Sequence, residues 1–230
     1  MEGEYAMKGN YTYRIRYAKT CSARYISQLD FVRVLSRTLR RADLPVTYTM
    51  GFNPHPVMTV ALPIAVGVTS EDEYVDIDFD VEVGVDELLS AMRENLPKGI
   101  QVLAGKRIGE GDISFKQIDA ARYQVELETR TDTVPDLDAF FSLPELVVDK
   151  KSKSGVKPVD IKKDIKELRL LSHDANQMQF DVIVPAGNTY NLKPELVFLA
   201  MQKYLKNFEI AYMQVHRTQL LAGGKRLISL

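Results

Sequence analysis

The hydrophobic period of this chain switches from two to about 3.6 and back, twice over, and that alternation limits the folds open to it. Residues 11–17 alternate: Tyr13, Ile15 and Tyr17 fall on one side, and Thr12, Arg14 and Arg16 on the other, the pattern of a half-buried strand. Ser27 with Asp30 three residues later forms a capping-box start, and Ile26 and Phe31 are placed to staple it. The helix it opens runs to about Asp43 and stops before Pro45, with Phe31, Val32, Leu35, Leu39 and Ala42 at helical spacing. A strand over 46–50 and an extended run over 58–68 follow, the second bent or at an edge because of Pro63. Residues 74–80 alternate again, with Val75, Ile77 and Phe79 inward and Asp76, Asp78 and Asp80 outward. A helix over 86–96 and a strand over 100–107 complete the order β-α-β-β-α-β, which is that of a ferredoxin-like split βαβ domain.

The 230 residues are enough for two such domains, and Gly109 and Gly111 with intervening charge mark a boundary. The second half repeats the architecture without repeating the sequence. It has a strand over 122–129, a short helix over 135–142, an extended piece over 145–149 and a basic polar loop over 150–157. Residues 160–171 fit either a helix or a strand. A strand over 177–184, a helix opened by Pro194 and a closing strand over 208–220 end the pattern. The expected fold is therefore α+β, tandem ferredoxin-like domains with antiparallel sheets, spanning residues 10–108 and 119–222.

Charge is segregated. The net charge is −1, which argues against a protein that coats nucleic acid generally. Yet residues 71–97 carry acids against Arg93 alone, whereas the first helix carries Arg33, Arg37, Arg40 and Arg41 on the side opposite its apolar residues. Such a stripe is either a solvated helix face or a site for an anion or RNA. In a split βαβ sheet Arg14 and Arg16 lie across from Asp76 and Asp78, so the sequence predicts cross-strand ion pairs on an open, polar face. That face lacks the exposed aromatics of an RRM-type platform. The three aspartates alternate along one strand, a poor arrangement for a cation that also needs looping backbone.

One cysteine, Cys21, excludes an intrachain disulfide and a multi-thiolate metal site, and suits a reducing compartment. With no positive n-region and apolar h-region at the start, and no apolar run long enough to span a bilayer, the expectation is a cytoplasmic protein without a membrane partner. No cofactor motif is present: there is no Walker loop, dinucleotide fingerprint, Gly-x-Ser-x-Gly elbow or His-Glu-x-x-His.

The strongest candidate site is the turn over 51–56, Gly-Phe-Asn-Pro-His-Pro. Pro54 and Pro56 fix φ and remove two N–H donors, and Asn53 and His55, each before a proline, are pushed to extended backbone. A stiff turn holding Asn53 and His55 suits an anion, or acid–base chemistry by His55; the plainer alternative is a polar turn tied to its own backbone. His173 and His216 read as surface and structural residues.

The segments 25–30, 37–45, 51–56 and 61–68 resemble the radical SAM-linked protein family, a bacterial domain of unknown function fused to a radical SAM protein or encoded beside one. The resemblance is specific over 10–108 and extends through 191–194 and 216–218. This chain has Gln28 where the family pattern has a histidine, and Val57 where a basic residue is common, so a two-histidine site is not carried over. The resemblance implies a radical SAM protein as partner in trans and no reaction. Taken together, the residues point to a non-catalytic binding module, presenting the partner's substrate or binding RNA through Asn53, His55, Arg33, Arg37, Arg40 and Arg41. The alternative is a metal-independent RNA-processing endonuclease of tandem ferredoxin-like type.

Overall fold

The computed structural model describes residues 11–152 and 155–228. It is an α+β structure that divides into two units, Met1–Phe115 with Arg226–Leu230, and Lys116–Lys225.

In the first unit, β1 (Tyr11–Lys19) is followed by a 3₁₀ turn (Cys21–Tyr25), α1 (Gln28–Arg41), β2 (Met58–Val60), β3 (Thr69–Phe79), α2 (Val85–Asn95) and β4 (Ile100–Ile108). The strands lie in the order β4-β1-β3-β2, and every neighbouring pair is antiparallel. Period-two alternation puts Tyr13, Ile15, Tyr17, Val75, Ile77 and Phe79 on the face that receives Phe31, Leu35 and Leu39 of α1 and Leu88, Leu89 and Met92 of α2. The Tyr17 and Phe31 rings stack with centroids 4.7 Å apart. Ser27 caps α1 as its sequence predicts, its Oγ accepting from the Asp30 N–H.

The second unit runs β5 (Ala120–Thr129), α3 (Leu137–Ser142), β6 (Val147–Ser152), β7 (Gly155–Asp160), β8 (Glu167–Asp174), β9 (Gln177–Pro185), α4 (Glu195–Tyr204) and β10 (Ile210–Ala222). Its main sheet has the order β10-β5-β9-β8, again antiparallel throughout. Val125, Leu127, Phe180, Val182 and Val184 are buried with Val197, Phe198, Ala200 and Met201 of α4.

Four expectations change. Residues 46–50 form isolated bridges, Val46 to Phe79 and Tyr48 to Pro56, in place of a strand. Pro54 and Pro56 have no N–H to give a ladder, which limits pairing there. Only Met58–Val60 of the extended run after the turn is a strand. The basic segment 150–157 belongs to a hairpin in which Lys150 faces Lys157, with residues 153 and 154 outside the described residues. The ambiguous stretch resolves as a 3₁₀ turn (Lys162–Asp164) and then β8.

A further change concerns the far face of the first sheet. The pair is there: Arg14 Nε and Nη2 donate to the two Asp76 carboxylate oxygens, each at 2.8 Å. The exposure is not. Arg14 is 1% exposed and Arg16 is 7%. Arg14 Nη1 also donates to the Ile113 carbonyl at 2.5 Å, and the guanidinium lies over the Phe115 ring at 4.2 Å. A segment without periodicity covers this face, so alternation could not reveal it. Arg16 pairs with Asp72 at 2.8 Å, and Asp72 also accepts from the Tyr74 hydroxyl at 2.7 Å.

Candidate functional site

The Pro-His-Pro turn closes an irregular hairpin against α1. Thr49 N–H donates to the His55 carbonyl at 2.9 Å, and Val57 N–H to the Thr47 carbonyl at 2.8 Å. Gly51 at the tip has φ of 124°, a conformation that a side chain would strain. The hairpin and the exposed side of α1 enclose a cleft of about 560 Å³. Val32, Arg33, Ser36, Arg37 and Arg40 line it from the helix; Thr49, His55, Pro56, Val57 and Met58 line it from the hairpin.

Helical geometry explains the cation row. Positions 33, 37 and 40 recur at i, i+4 and i+7, so their side chains share one face over about 10 Å of axis. Arg33 is partly neutralised by Asp30 at 2.9 Å, both exposed. The Ser27 hydroxyl first, and then Arg33, hold the Asp30 carboxyl below the usual carboxylate range. Arg37 and Arg40 have no hydrogen bond or ion pair among the described residues. They offer planar donor forks suited to phosphate or carboxylate.

His55 is oriented by its own turn. Its N–H donates to Thr49 Oγ1 at 3.1 Å, and its Nδ1 lies 3.1 Å from the same oxygen and 3.3 Å from the Asn53 carbonyl. Both contacts engage Nδ1, so they orient the ring and leave Nε2 for a ligand.

The cleft thus gathers four residues singled out from sequence: Arg33, Arg37, Arg40 and His55. It does not include Asn53 or Arg41. Asn53 is exposed, and its backbone carbonyl, rather than its side chain, serves His55. Arg41 sits off the row and donates to the Asn95 carbonyl at the end of α2, at 2.6 Å. Sequence reasoning missed Thr49, whose only signal is a hydroxyl six residues before His55 across a Gly-Pro turn. It also missed the apolar wall of Val32, Val57 and Met58.

The acidic strand residues are already engaged. Asp76 holds Arg14, Asp78 accepts from the Thr12 hydroxyl at 2.7 Å and Asp80 from the Thr47 hydroxyl at 2.7 Å. No group of three metal-ligating side chains occurs among the described residues. No helix among them is long and apolar enough to cross a membrane. His173 is exposed in β8, and His216 lies opposite Gln124 in β10.

The chain belongs to a family of uncharacterized proteins conserved in bacteria (DUF2344), whose model matches residues 12–194. No curated protein matches it. Among solved structures it is similar to a chain of a Cbf5–Nop10–Gar1 complex, with 11% identity and a TM-score of 0.49, covering 90% of this chain and 48% of that one. An archaeal box H/ACA sRNP Nop10–Cbf5 complex gives 12% identity and a TM-score of 0.45, with 90% and 47% covered. An unknown protein from Galdieria sulphuraria gives 13% and 0.26, with 90% and 98% covered. The chain spans about half the length of the first two.

Proposed function

We propose that the chain is a non-catalytic binding module of two ferredoxin-like domains whose α1–hairpin cleft binds RNA through its phosphates. The observation that carries this reading is the pair Arg37 and Arg40, cations unpaired among the described residues, beside His55 in a concave site. The β4-β1-β3-β2 and β10-β5-β9-β8 orders support the domain assignment, since each corresponds to the split βαβ connectivity. The groups that hold the His55 ring are the Thr49 hydroxyl and the Asn53 carbonyl, neutral partners that orient it. This favours binding over endonuclease chemistry. The motif resemblance supports a cytoplasmic radical SAM protein as partner in trans, to which the module presents bound RNA or another substrate.

The test is fluorescence anisotropy with labelled RNA at low salt. The Arg37→Ala/Arg40→Ala double variant should weaken binding about tenfold or more, the scale of lost charge-assisted hydrogen bonds. Arg41→Ala should leave it unchanged. Equal binding by wild type and the double variant would place the RNA elsewhere. Co-purification with a radical SAM protein from a bacterial host tests the partner separately.

A further inference from the structure

One aromatic ring near the cleft is left unused by the fold. Phe52 is fully exposed at the tip of the hairpin that carries His55, and Met50 beside it is 60% exposed. The other phenylalanines of the first sheet and helix, Phe31 and Phe79, are buried. Phe52 does not stand on a slack loop. Pro54 and Pro56 fix the backbone that follows it, and Thr49 ties the turn through both the His55 N–H and its ring. The ring is held in water three residues before His55, which lines the cleft together with the arginine row.

Cations alone would suit any nucleic acid. A duplex presents a convex ridge of phosphates and keeps its base faces stacked inside, so it offers nothing to a hollow or to a protruding ring. The cleft is concave, with Val32, Val57 and Met58 as apolar wall, and its volume of about 560 Å³ is that of a small-ligand site. A single strand supplies both phosphates and free π faces. We infer that the cleft and Phe52 together take single-stranded RNA: successive phosphates on Arg37 and Arg40, a base against the apolar wall, and a neighbouring base stacked on Phe52. This rests on the reading of the cleft as an RNA site and narrows it to one form of RNA.

The experiment compares a labelled single-stranded RNA of about ten nucleotides with the same sequence as a duplex, by anisotropy. Wild type should bind the single strand at least about tenfold more tightly. Phe52→Ala should lose about tenfold on the single strand and nothing on the duplex, and Phe52→Trp should restore the loss, as stacking on any aromatic face would. Because Phe52 is fully exposed, thermal melting of the variants should match wild type. Equal affinity for both forms, or a neutral Phe52→Ala, overturns the single-strand inference while leaving RNA binding standing. Absence of binding to either RNA overturns the cleft reading as well.

Discussion

At Arg14 a full positive charge leaves water and finds a partner for each of its three side-chain nitrogens. Two nitrogens meet the Asp76 carboxylate, a third meets the Ile113 carbonyl, and the planar face rests on Phe115. Burial pushes the Asp76 carboxyl up from its ordinary value, and the Arg14 hydrogen bond and charge oppose that rise. Desolvation of both groups offsets much of the attraction between them, so the pair adds little net stability while each member depends on the other. Asp76→Ala should therefore cost about 3–5 kcal/mol, because it strands a buried guanidinium. The double replacement Arg14→Met with Asp76→Leu should recover most of that loss, and chemical denaturation of the four proteins completes the cycle. A cost for Asp76→Ala near that of an exposed pair, about 1 kcal/mol or less, would mean that water reaches the site. The sequence made this pairing legible through alternation and strand order, and hid its burial. The covering residues, Ile113 and Phe115, lie after the last strand of the unit in a stretch whose apolar residues follow no period.

Among the elements, α1 was the most legible, because three signals agree on it: the Ser27 cap, the helical spacing of Phe31, Leu35 and Leu39, and Pro45 beyond its end. The hairpin over 46–58 was the least legible. Thr47 and Val57 hydrogen-bond as strand residues do, but the prolines leave too few N–H groups for a ladder. The β6–β7 hairpin was hidden for another reason: its charged residues and Pro158 show no alternation to read. Packing of α2 on β4 depends on a residue that propensity would reject. A Cβ at Gly105 would lie 3.0 Å from Leu89 Cδ2 and 3.1 Å from Ile15 Cδ1. Glycine in a strand marks such a close approach. Gly105→Ala should force these buried side chains to shift and destabilise the protein by about 1–3 kcal/mol, the range for overpacking. Gly105→Ala combined with Leu89→Val would relieve part of that strain, and thermal melting of both variants measures it. A Gly105→Ala variant as stable as wild type would show that Leu89 moves aside freely.

For the molecule as a whole, charge placement decides how RNA could be held. A chain of net charge −1 has no general attraction for polyanions, and its strand acids are spent on Arg14, Arg16, Thr12 and Thr47. The stripe of four arginines was visible in sequence. That three of them face a cleft while Arg41 turns to cap α2 follows from helical phase and from the position of Asn95, which no local pattern encodes. Binding confined to the cleft releases few counterions. Arg33, Arg37 and Arg40 on a single strand give a slope of log K against log salt of about −2, taking roughly 0.7 per phosphate neutralised. Arg37→Ala/Arg40→Ala should flatten the slope to about −1 or less, and Arg41→Ala should leave it near −2. Titrations at several salt concentrations measure this directly. A slope steeper than about −4 would require cations beyond the cleft. The first to test are Lys151 and Lys157 of the β6–β7 hairpin, since neighbouring Lys150 is already engaged with the Tyr190 ring and the Asn191 carbonyl. A slope near zero would mean that the contacts avoid phosphate, and the arginine row would then be a solvated helix face.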